Sequence, residues 1–280
     1  MSDSQVKIRQ PRFADNQWYS SNPSQLQKDI QGYLSGASAQ SDLGSVLGLV
    51  APHAGHFFSG HVAGAAFANL SPRRYDTVIL IGPDHRAAAP GQISTMQVET
   101  WRTPLGDIPV NWQMLTALQA EVELKLLSSD QEHSLEIELP FLQMTLQEFN
   151  LVPLMMGNQS APICRRLGAA LVKVISDRHR TLLVASSDLS HFYDDDTARR
   201  LDQTTLQFVL ALDGDGLVEH VTAGGRRGEP LACGAGPIAV VVHAAQALGA
   251  TGAHLLKYAT SADIYPDKSR VVGYAAVAFN

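Results

Sequence analysis

The chain has 280 residues, a formal net charge of -6 at pH 7 and a sequence pI near 5.9. Hydrophobic residues make up 45% of it and charged residues 17%, a balance typical of globular proteins with a sizeable core. No basic stripe and no run of about 18 apolar residues is present, so we expect neither a nucleic-acid partner nor a membrane span. The N-terminus lacks an apolar signal core, and the two cysteines, Cys164 and Cys233, lie far apart. Both features favour a cytoplasmic protein with reduced thiols.

Short apolar runs alternate with helical patterns along the chain. The runs end at Pro, Gly or Ser and predict buried strands at residues 46–51, 77–81, 151–156, 181–185 and, less regularly, 271–279. Amphipathic or alanine-rich segments predict helices at residues 60–69, 112–119, 135–149, 162–175, 195–212 and 237–248. This order predicts an α/β protein with a mainly parallel central sheet and helices on both faces. No break in composition marks a boundary, so we expect a single domain spanning residues 1–280.

Polar side chains follow three of the predicted strands, at the point where each strand ends. His53 follows the first strand, His85 follows the second, and Asp188 and His191 follow the fourth. Because the carboxyl ends of parallel strands meet at one edge of a sheet, these side chains are expected on one rim, where ligands bind. If the segment after Ser187 is helical, Asp188 and His191 lie on the same face of that helix.

Cys233 lies directly before the predicted helix at 237–248, in a segment with glycines on both sides of Ala235. The amide groups at a helix N-terminus favour a thiolate and predict a lowered pKa for this cysteine, as a metal ligand or as a nucleophile. Two imidazoles and one thiolate suit zinc with a water in the fourth position, or iron or copper. His191 then fits a general acid or base, and Asp188 can orient its ring or a metal-bound water.

Glu132 and His133 are further candidates for the site, although polar residues are also common at the start of a helix. Ser134 is expected to cap the helix predicted at residues 135–149, which Pro140 would strain.

Other polar and aromatic residues have competing interpretations. The acidic run at residues 194–196 predicts a helix N-cap more readily than a cation site. Arg226 and Arg227 can meet an anionic substrate or lie in a solvated loop, and Trp18 and Trp101 fit either a pocket wall or the core.

Six motifs stand in the order of a known family: VAPHAGHFFSGHVAG, ILIGPDH, WRTPLG, EHSLEIELPFLQ, ASSDLSHF and ACGAGPIA. On these motifs the chain resembles the Memo family, whose bacterial and archaeal members are called AmmeMemoRadiSam system protein B. Residues 13–17 and Asn111 depart from the family pattern. The departures concern contacts with a substrate or partner more than the metal site.

The resemblance implies the fold of the class III extradiol dioxygenases, in which two histidines and a glutamate hold non-haem Fe(II). A cysteine stands in the place of that glutamate in the Memo family. The resemblance therefore assigns His53, His85 and Cys233 to the metal, with Asp188 and His191 beside it. It also implies a functional link to a radical SAM protein.

Three hypotheses about function remain open on the sequence. The first is an iron- or copper-dependent oxidoreductase, similar to a dioxygenase, that acts on a small planar substrate; zinc is the other metal to consider. The second is a non-catalytic module that binds metal or peptide in the same pocket. The third is a thiol or hydrolytic enzyme in which Cys233 is the nucleophile and His191 its base.

Overall fold

The computed structural model describes residues 6–38, 43–70 and 74–280. Its strands are β1 (Ile8–Arg9), β2 (Gly48–Ala51), β3 (Thr77–Pro83), β4 (Ile93–Met96), β5 (Thr100–Thr103), β6 (Gly106–Pro109), β7 (Leu124–Leu127), β8 (Asn150–Met156), β9 (Thr181–Ser186), β10 (His191–Tyr193), β11 (Ala253–Thr260) and β12 (Val271–Phe279). Its helices are α1 (Pro23–Ser35), α2 (His56–Phe67), α3 (Trp112–Gln119), α4 (Leu139–Leu146), α5 (Ala161–Val174), α6 (Asp195–Leu210), α7 (Gly214–Arg226) and α8 (Ala235–Ala247). Short 3-10 turns occupy Glu136–Glu138 and Ser261–Asp263.

The main sheet has a parallel centre and antiparallel flanks. Its strand order is β10-β12-β2-β9-β3-β8-β4-β7, and β11 pairs with β12. The four central strands, β2, β9, β3 and β8, are parallel to one another, and each is an apolar run buried on both faces, as the sequence predicts. The flanking pairs β12 with β2 and β4 with β8 are antiparallel. Strands β12 and β4 lie outside the βαβ units that force parallel pairing in the centre.

Helices cover both faces of this sheet. One group consists of α1, α2 and α4, which pack on one another, and α2 also packs on β2 and β12. The other group consists of α5, α7 and α8, and α8 packs on β2, β3 and β9. Over the described ranges, no helix has both the length and the apolar character needed to cross a lipid bilayer.

The helix predicted at residues 135–149 begins later than expected. A 3-10 turn at Glu136–Glu138 precedes α4, so Pro140 lies in the first turn of α4, where the missing N–H has no helical partner to lose. The predicted strain is therefore absent. Ser134 does not cap this helix, since its hydroxyl donates to the carbonyl of Pro83. By contrast, Asp194 caps α6 as predicted, accepting from the amide of Thr197.

The N-terminal strand β1 fixes the loop that precedes this 3-10 turn. The guanidinium of Arg9, a buried residue, pairs with the carboxylates of Asp130 and Glu136 and donates to the carbonyl of Glu132. It also lies 4.1 Å from the ring centroid of Trp101, which is buried in the core. These contacts hold the loop at 130–136 against the carboxyl edge of the main sheet.

Candidate metal centre

Three potential metal ligands meet at the carboxyl edge of the main sheet. His53 follows β2, His85 follows β3, and Cys233 precedes α8. One nitrogen of each imidazole and the sulfur of the thiol lie within 4.8 Å of one another. Gly234 permits the approach of Cys233, since a Cβ atom there would collide with the carbonyl oxygen of Ser186 at the end of β9.

His53 is a buried histidine whose ring orientation is fixed by Ser186. The distance from His53 Nδ1 to Ser186 Oγ is 2.7 Å, and Ser186 Oγ donates its own hydrogen to the carbonyl of Ser134 at 2.5 Å. Ser186 must therefore accept from Nδ1–H, which leaves the lone pair on Nε2. That Nε2 lies 3.3 Å from the sulfur of Cys233. Burial holds the pKa of His53 well below its usual range. The ring is therefore neutral, and the lone pair on its Nε2 can bind a metal ion.

His85 is oriented by the buried carboxylate of Glu132. Glu132 Oε1 lies 3.0 Å from His85 Nδ1, and Oε2 accepts from the His85 amide at 2.6 Å. The same carboxylate accepts from the amides of His133 and Ser134. Burial opposes its ionisation, but these hydrogen bonds and the neighbouring histidines outweigh burial and lower the pKa of Glu132 to about 2. Histidines that bind a metal through one ring nitrogen characteristically donate the N–H of the other ring nitrogen to such a carboxylate.

Glu132 also belongs to a second group of possible ligands, with His85 and His133. Its carboxylate already accepts four hydrogen bonds, and His85 Nδ1 is one of the atoms bound to it. The first group instead offers a free lone pair on His53 and a sulfur. The donor set of His53, His85 and Cys233 therefore fits a metal ion better, and Glu132 supports it.

Cys233 does not have the activated thiol that its position before α8 predicts. Burial, followed by the nearby charge of Asp188, raises the pKa of the thiol, so the predicted lowering is wrong. A thiol in such surroundings loses its proton when a cation takes the place of that proton at sulfur. Its sulfur contacts His53 and the carbonyl of Asp188, whereas His191 makes no described contact with it. This arrangement favours a ligand over a nucleophile.

Asp188 and His191 do not share a helix face, because the segment after Ser187 is not helical. Residues 187–190 are irregular, and His191 opens β10, with its amide bonded to the carbonyl of Pro230. The Asp188 carboxylate accepts from the amides of His53 and Ala54, at 2.9 and 3.3 Å, so it fixes the loop after β2 and not the His191 ring. Burial raises the pKa of Asp188 to about 7 against these hydrogen bonds, and burial lowers the pKa of His191.

His133 packs directly against both histidine ligands. Its ring stacks on His85 with a centroid distance of 4.8 Å and meets His53 edge-on at 5.3 Å. The ring of Trp18 also packs against it, with a centroid distance of 4.5 Å. Burial lowers the pKa of His133 to about 4, so the imidazole is neutral near pH 7.

The sequence profile of Memo-like proteins matches residues 9–278. The chain belongs to the Memo family. A MEMO1 family protein of Methanopyrus kandleri is 36% identical over 284 residues, which cover 97% of this chain and 98% of that protein. A MEMO1 family protein of Methanosarcina acetivorans is 35% identical over 275 residues, with 97% and 99% covered. The family that the six motifs predict is confirmed.

A solved structure shares the fold of this Memo-family chain. It is the crystal structure of an uncharacterized protein from Escherichia coli K12, with a TM-score of 0.54 over 83% of this chain and 99% of that one. The two sequences are 15% identical, so the likeness concerns the fold alone. Together with the sheet and helices described above, it confirms the predicted fold class.

The candidate centre of this Memo-family chain opens into a cavity of about 720 Å³. Its inner wall consists of the polar residues described above: His53, His85, His133, Asp188 and His191. Trp18, Phe58, Tyr265 and Tyr274 supply aromatic walls. Of the two tryptophans with competing interpretations, Trp18 thus walls the cavity and Trp101 lies in the core. The volume suits a small molecule.

A second cavity of about 730 Å³ lies elsewhere, beside the amino ends of β3, β8 and β9. It contains the ion pair of Asp76 with Arg180 and none of the residues that the sequence places at the site. The carboxyl edge is therefore where the chemistry is concentrated.

Sequence reasoning missed two residues close to the ligands. Ser186 is the last residue of β9 and part of the ASSDLSHF motif, which is the signal that could have identified it. Glu138 is fully buried, its carboxyl oxygens have no hydrogen-bond partner in the described part of the chain, and burial raises its pKa well above the usual range. Its position in the EHSLEIELPFLQ motif, among apolar residues, predicts no particular role.

Proposed function

We propose that the chain is a metal-binding Memo-family protein that acts as an iron-dependent, or copper-dependent, oxidoreductase similar to a dioxygenase, on a small planar substrate. The observation that supports this proposal is the convergence of two imidazoles and one thiol beside an open cavity, which the two histidines line. Three protein donors leave further coordination positions for a substrate.

The donor set favours iron, copper or zinc over magnesium or calcium, because imidazole and thiolate are softer ligands than carboxylate and water. A bound iron or copper ion supplies a site for substrate oxygens and one-electron chemistry with dioxygen. The protein contributes orientation: Ser186 and Glu132 fix the two imidazoles, and the amides of His53 and Ala54 fix Asp188. Such fixed partners commonly raise metal affinity.

His191 is the group proposed to move a proton. Its ring lines the cavity, and its amide is anchored to Pro230, so the imidazole faces a substrate bound there. A neutral imidazole can take a proton from a substrate hydroxyl as that oxygen approaches the ligands. The aromatic walls exclude water from a flat substrate during this transfer.

Metal content tests the centre directly. We expect close to one iron or copper per chain in protein purified without oxygen, and little in His53→Ala or Cys233→Ala. Cys164→Ala is the matched control, because Cys164 lies in α5, away from the cavity. This variant should keep its metal. Wild-type protein that binds neither Fe(II), copper nor zinc would contradict the proposal.

Turnover separates the enzyme from the non-catalytic module that binds metal or peptide. We expect metal-loaded wild-type protein to consume oxygen with catechol-like compounds, and His191→Ala to keep its metal but lose most of this activity. Full metal binding without turnover of any planar phenol would favour the non-catalytic alternative. Unchanged turnover in His191→Ala would contradict the proposed role of His191 in proton transfer. A functional link to a radical SAM protein stays a prediction from the family.

A further inference from the structure

Two arginines line the cavity beside the candidate centre. Arg86 directly follows His85, and Arg270 directly precedes β12. The guanidinium of Arg270 lies 5.1 Å from the ring centroid of Phe192. Neither guanidinium has a carboxylate partner among the described residues. Six other arginines of this acidic chain do have one: Arg9, Arg102, Arg165, Arg180, Arg199 and Arg227.

The carboxylates near these arginines already accept hydrogen bonds from backbone amides or a serine hydroxyl. Asp267 accepts from the amide and hydroxyl of Ser269, and Asp188 accepts from two amides after β2. Asp84 accepts from three backbone amides, at residues 86, 88 and 89, and does not reach the Arg86 guanidinium. Two exposed arginines therefore line the cavity without a carboxylate partner among the described residues, and their N–H donors are available for a ligand.

The same cavity has flat aromatic walls. Trp18, Phe58 and Tyr265 line it, and the last two are 37% and 54% exposed. Exposed rings beside a polar centre offer faces for a planar ring of a ligand. Arg226 and Arg227, the other arginines that could meet an anionic substrate, do not line the cavity, and Arg227 pairs with Glu229.

We infer that the cavity binds a small aromatic carboxylate, with its ring between the aromatic walls and its carboxylate against Arg86 and Arg270. The planar guanidinium fork matches the geometry of a carboxylate and binds it through two parallel hydrogen bonds. This inference rests on the proposed function, because the other end of the same ligand is the part that reaches His53, His85 and Cys233.

The test uses two probes of the same shape that differ in one charge, 3,4-dihydroxybenzoate and 3,4-dihydroxybenzamide. Their dissociation constants are measured by calorimetry on protein loaded with Fe(II) without oxygen. We expect the benzoate to bind roughly tenfold more tightly than the benzamide to wild-type protein, the size of effect typical of charge-assisted hydrogen bonds. Arg86→Gln and Arg270→Gln should each reduce this ratio, and the double variant should bring it close to one.

Arg226→Gln is the matched control, since Arg226 is exposed at the end of α7 and does not line the cavity. This variant should keep the wild-type ratio, and all variants should keep their metal content and circular dichroism spectrum. Equal affinity of the two probes for wild-type protein would overturn the inference. So would an unchanged ratio in the double variant, or no binding of either probe.

The outcomes separate this inference from the proposed function. If the two probes bind wild-type protein equally and neither binds His53→Ala, the proposed metal centre is supported and the proposed anion site is contradicted. A benzoate affinity that depends on the two arginines but is the same in His53→Ala as in wild-type protein would support the anion site. It would also contradict a ligand that spans from the arginines to the metal.

Discussion

Ser186 determines which nitrogen of His53 is available to a metal. Its hydroxyl accepts from Nδ1–H and donates to the carbonyl of Ser134, both within the interior. We expect Ser186→Ala to lower the free energy of unfolding by about 1–3 kcal/mol, because it leaves a buried donor and a buried acceptor unsatisfied. We also expect weaker metal binding, since the His53 ring loses its fixed tautomer. Urea unfolding and competition with a metal indicator measure the two effects.

Ser94 provides the matched control for this change. Its hydroxyl is equally buried, but no hydrogen-bond partner exists for it in the described part of the chain. Ser94→Ala should therefore leave the free energy of unfolding and the metal affinity close to those of the wild-type protein. Equal destabilisation by the two serine substitutions would show that the hydroxyl of Ser186 has no special part in orienting His53.

The residues of the site were predictable from the sequence where a strand end or a motif marked them. His53, His85 and Asp188 follow buried strands, and the structure brings them to one edge. The role of Ser186 was not predictable, because its partner Ser134 lies 52 positions away in the chain. The thiol of Cys233 was misjudged, since the sequence shows the helix start but not the burial that outweighs it.

Strand β1 depends on one buried cation. The Arg9 guanidinium bonds to the carboxylates of Asp130 and Glu136, and all three side chains are almost completely buried. We expect Arg9→Ala to lower the free energy of unfolding by about 3–5 kcal/mol, because it leaves two buried carboxylates without their cation. Metal affinity should also fall, since the loop that carries Glu132 loses its anchor. Urea unfolding at pH 7 provides the measurement.

The pair of Arg102 with Asp107 is the exposed counterpart of the Arg9 network. It joins β5 to β6 with two hydrogen bonds, and both side chains are 40% exposed or more. Arg102→Ala should cost less than about 1 kcal/mol, as is usual for ion pairs in water. If both arginine substitutions had the same small effect, the Arg9 network would not be what holds β1 in place.

Helix α2 begins with a buried histidine that predicts a pH dependence. His56 donates from Nε2 to the carbonyl of Ile137, and burial lowers its pKa from 6.5 to about 4. As the pH falls, His56 is therefore protonated in the unfolded chain before it is protonated in the folded one. Its contribution to the free energy of unfolding is present above pH 6.5 and is lost as the pH falls towards 4. We expect His56 to account for a loss on the order of 2 kcal/mol between pH 7 and pH 5.

The variant His56→Gln isolates this contribution. Its amide can still donate to Ile137 but does not titrate, so its free energy of unfolding should change less between pH 7 and pH 5 than that of the wild type. His179→Gln is the control, because His179 is exposed and should leave the pH dependence unchanged. Identical pH profiles for wild type and His56→Gln would contradict a neutral buried His56.

Elements were predictable where their residues carried a regular pattern. The helix predicted at 112–119 matches α3, and that at 162–175 lies within one residue of α5 at each end. Helix α7 was missed because four of its 13 residues are glycines, which disfavour a helix. Its N-cap at Asp213 and its packing on α8 supply the stability that its composition lacks.

At the scale of the molecule, the centre of the sheet and the neighbouring strand β12 were predictable, whereas the outer strands β4, β7, β10 and β11 were not. The central strands are continuous apolar runs, which only a doubly covered parallel sheet accommodates. The strands β4 and β7 are four residues each, and polar or charged residues interrupt both runs. Their pairing depends on packing against strands that are distant in the chain, so no local sequence pattern predicts it.

The metal centre joins parts of the fold that are far apart in the chain, and this predicts that metal stabilises the whole molecule. His53 follows β2, His85 follows β3 and Cys233 precedes α8, so the three donors converge only in the folded state. Free metal at 100 times its dissociation constant should add about 2.7 kcal/mol to the free energy of unfolding. Urea unfolding with metal and with a chelator measures this difference, and Cys164→Ala should show it as well. His53→Ala should show no such difference. If the chelator did not change the free energy of unfolding of wild-type protein, the three donors would not form a metal centre in the folded state.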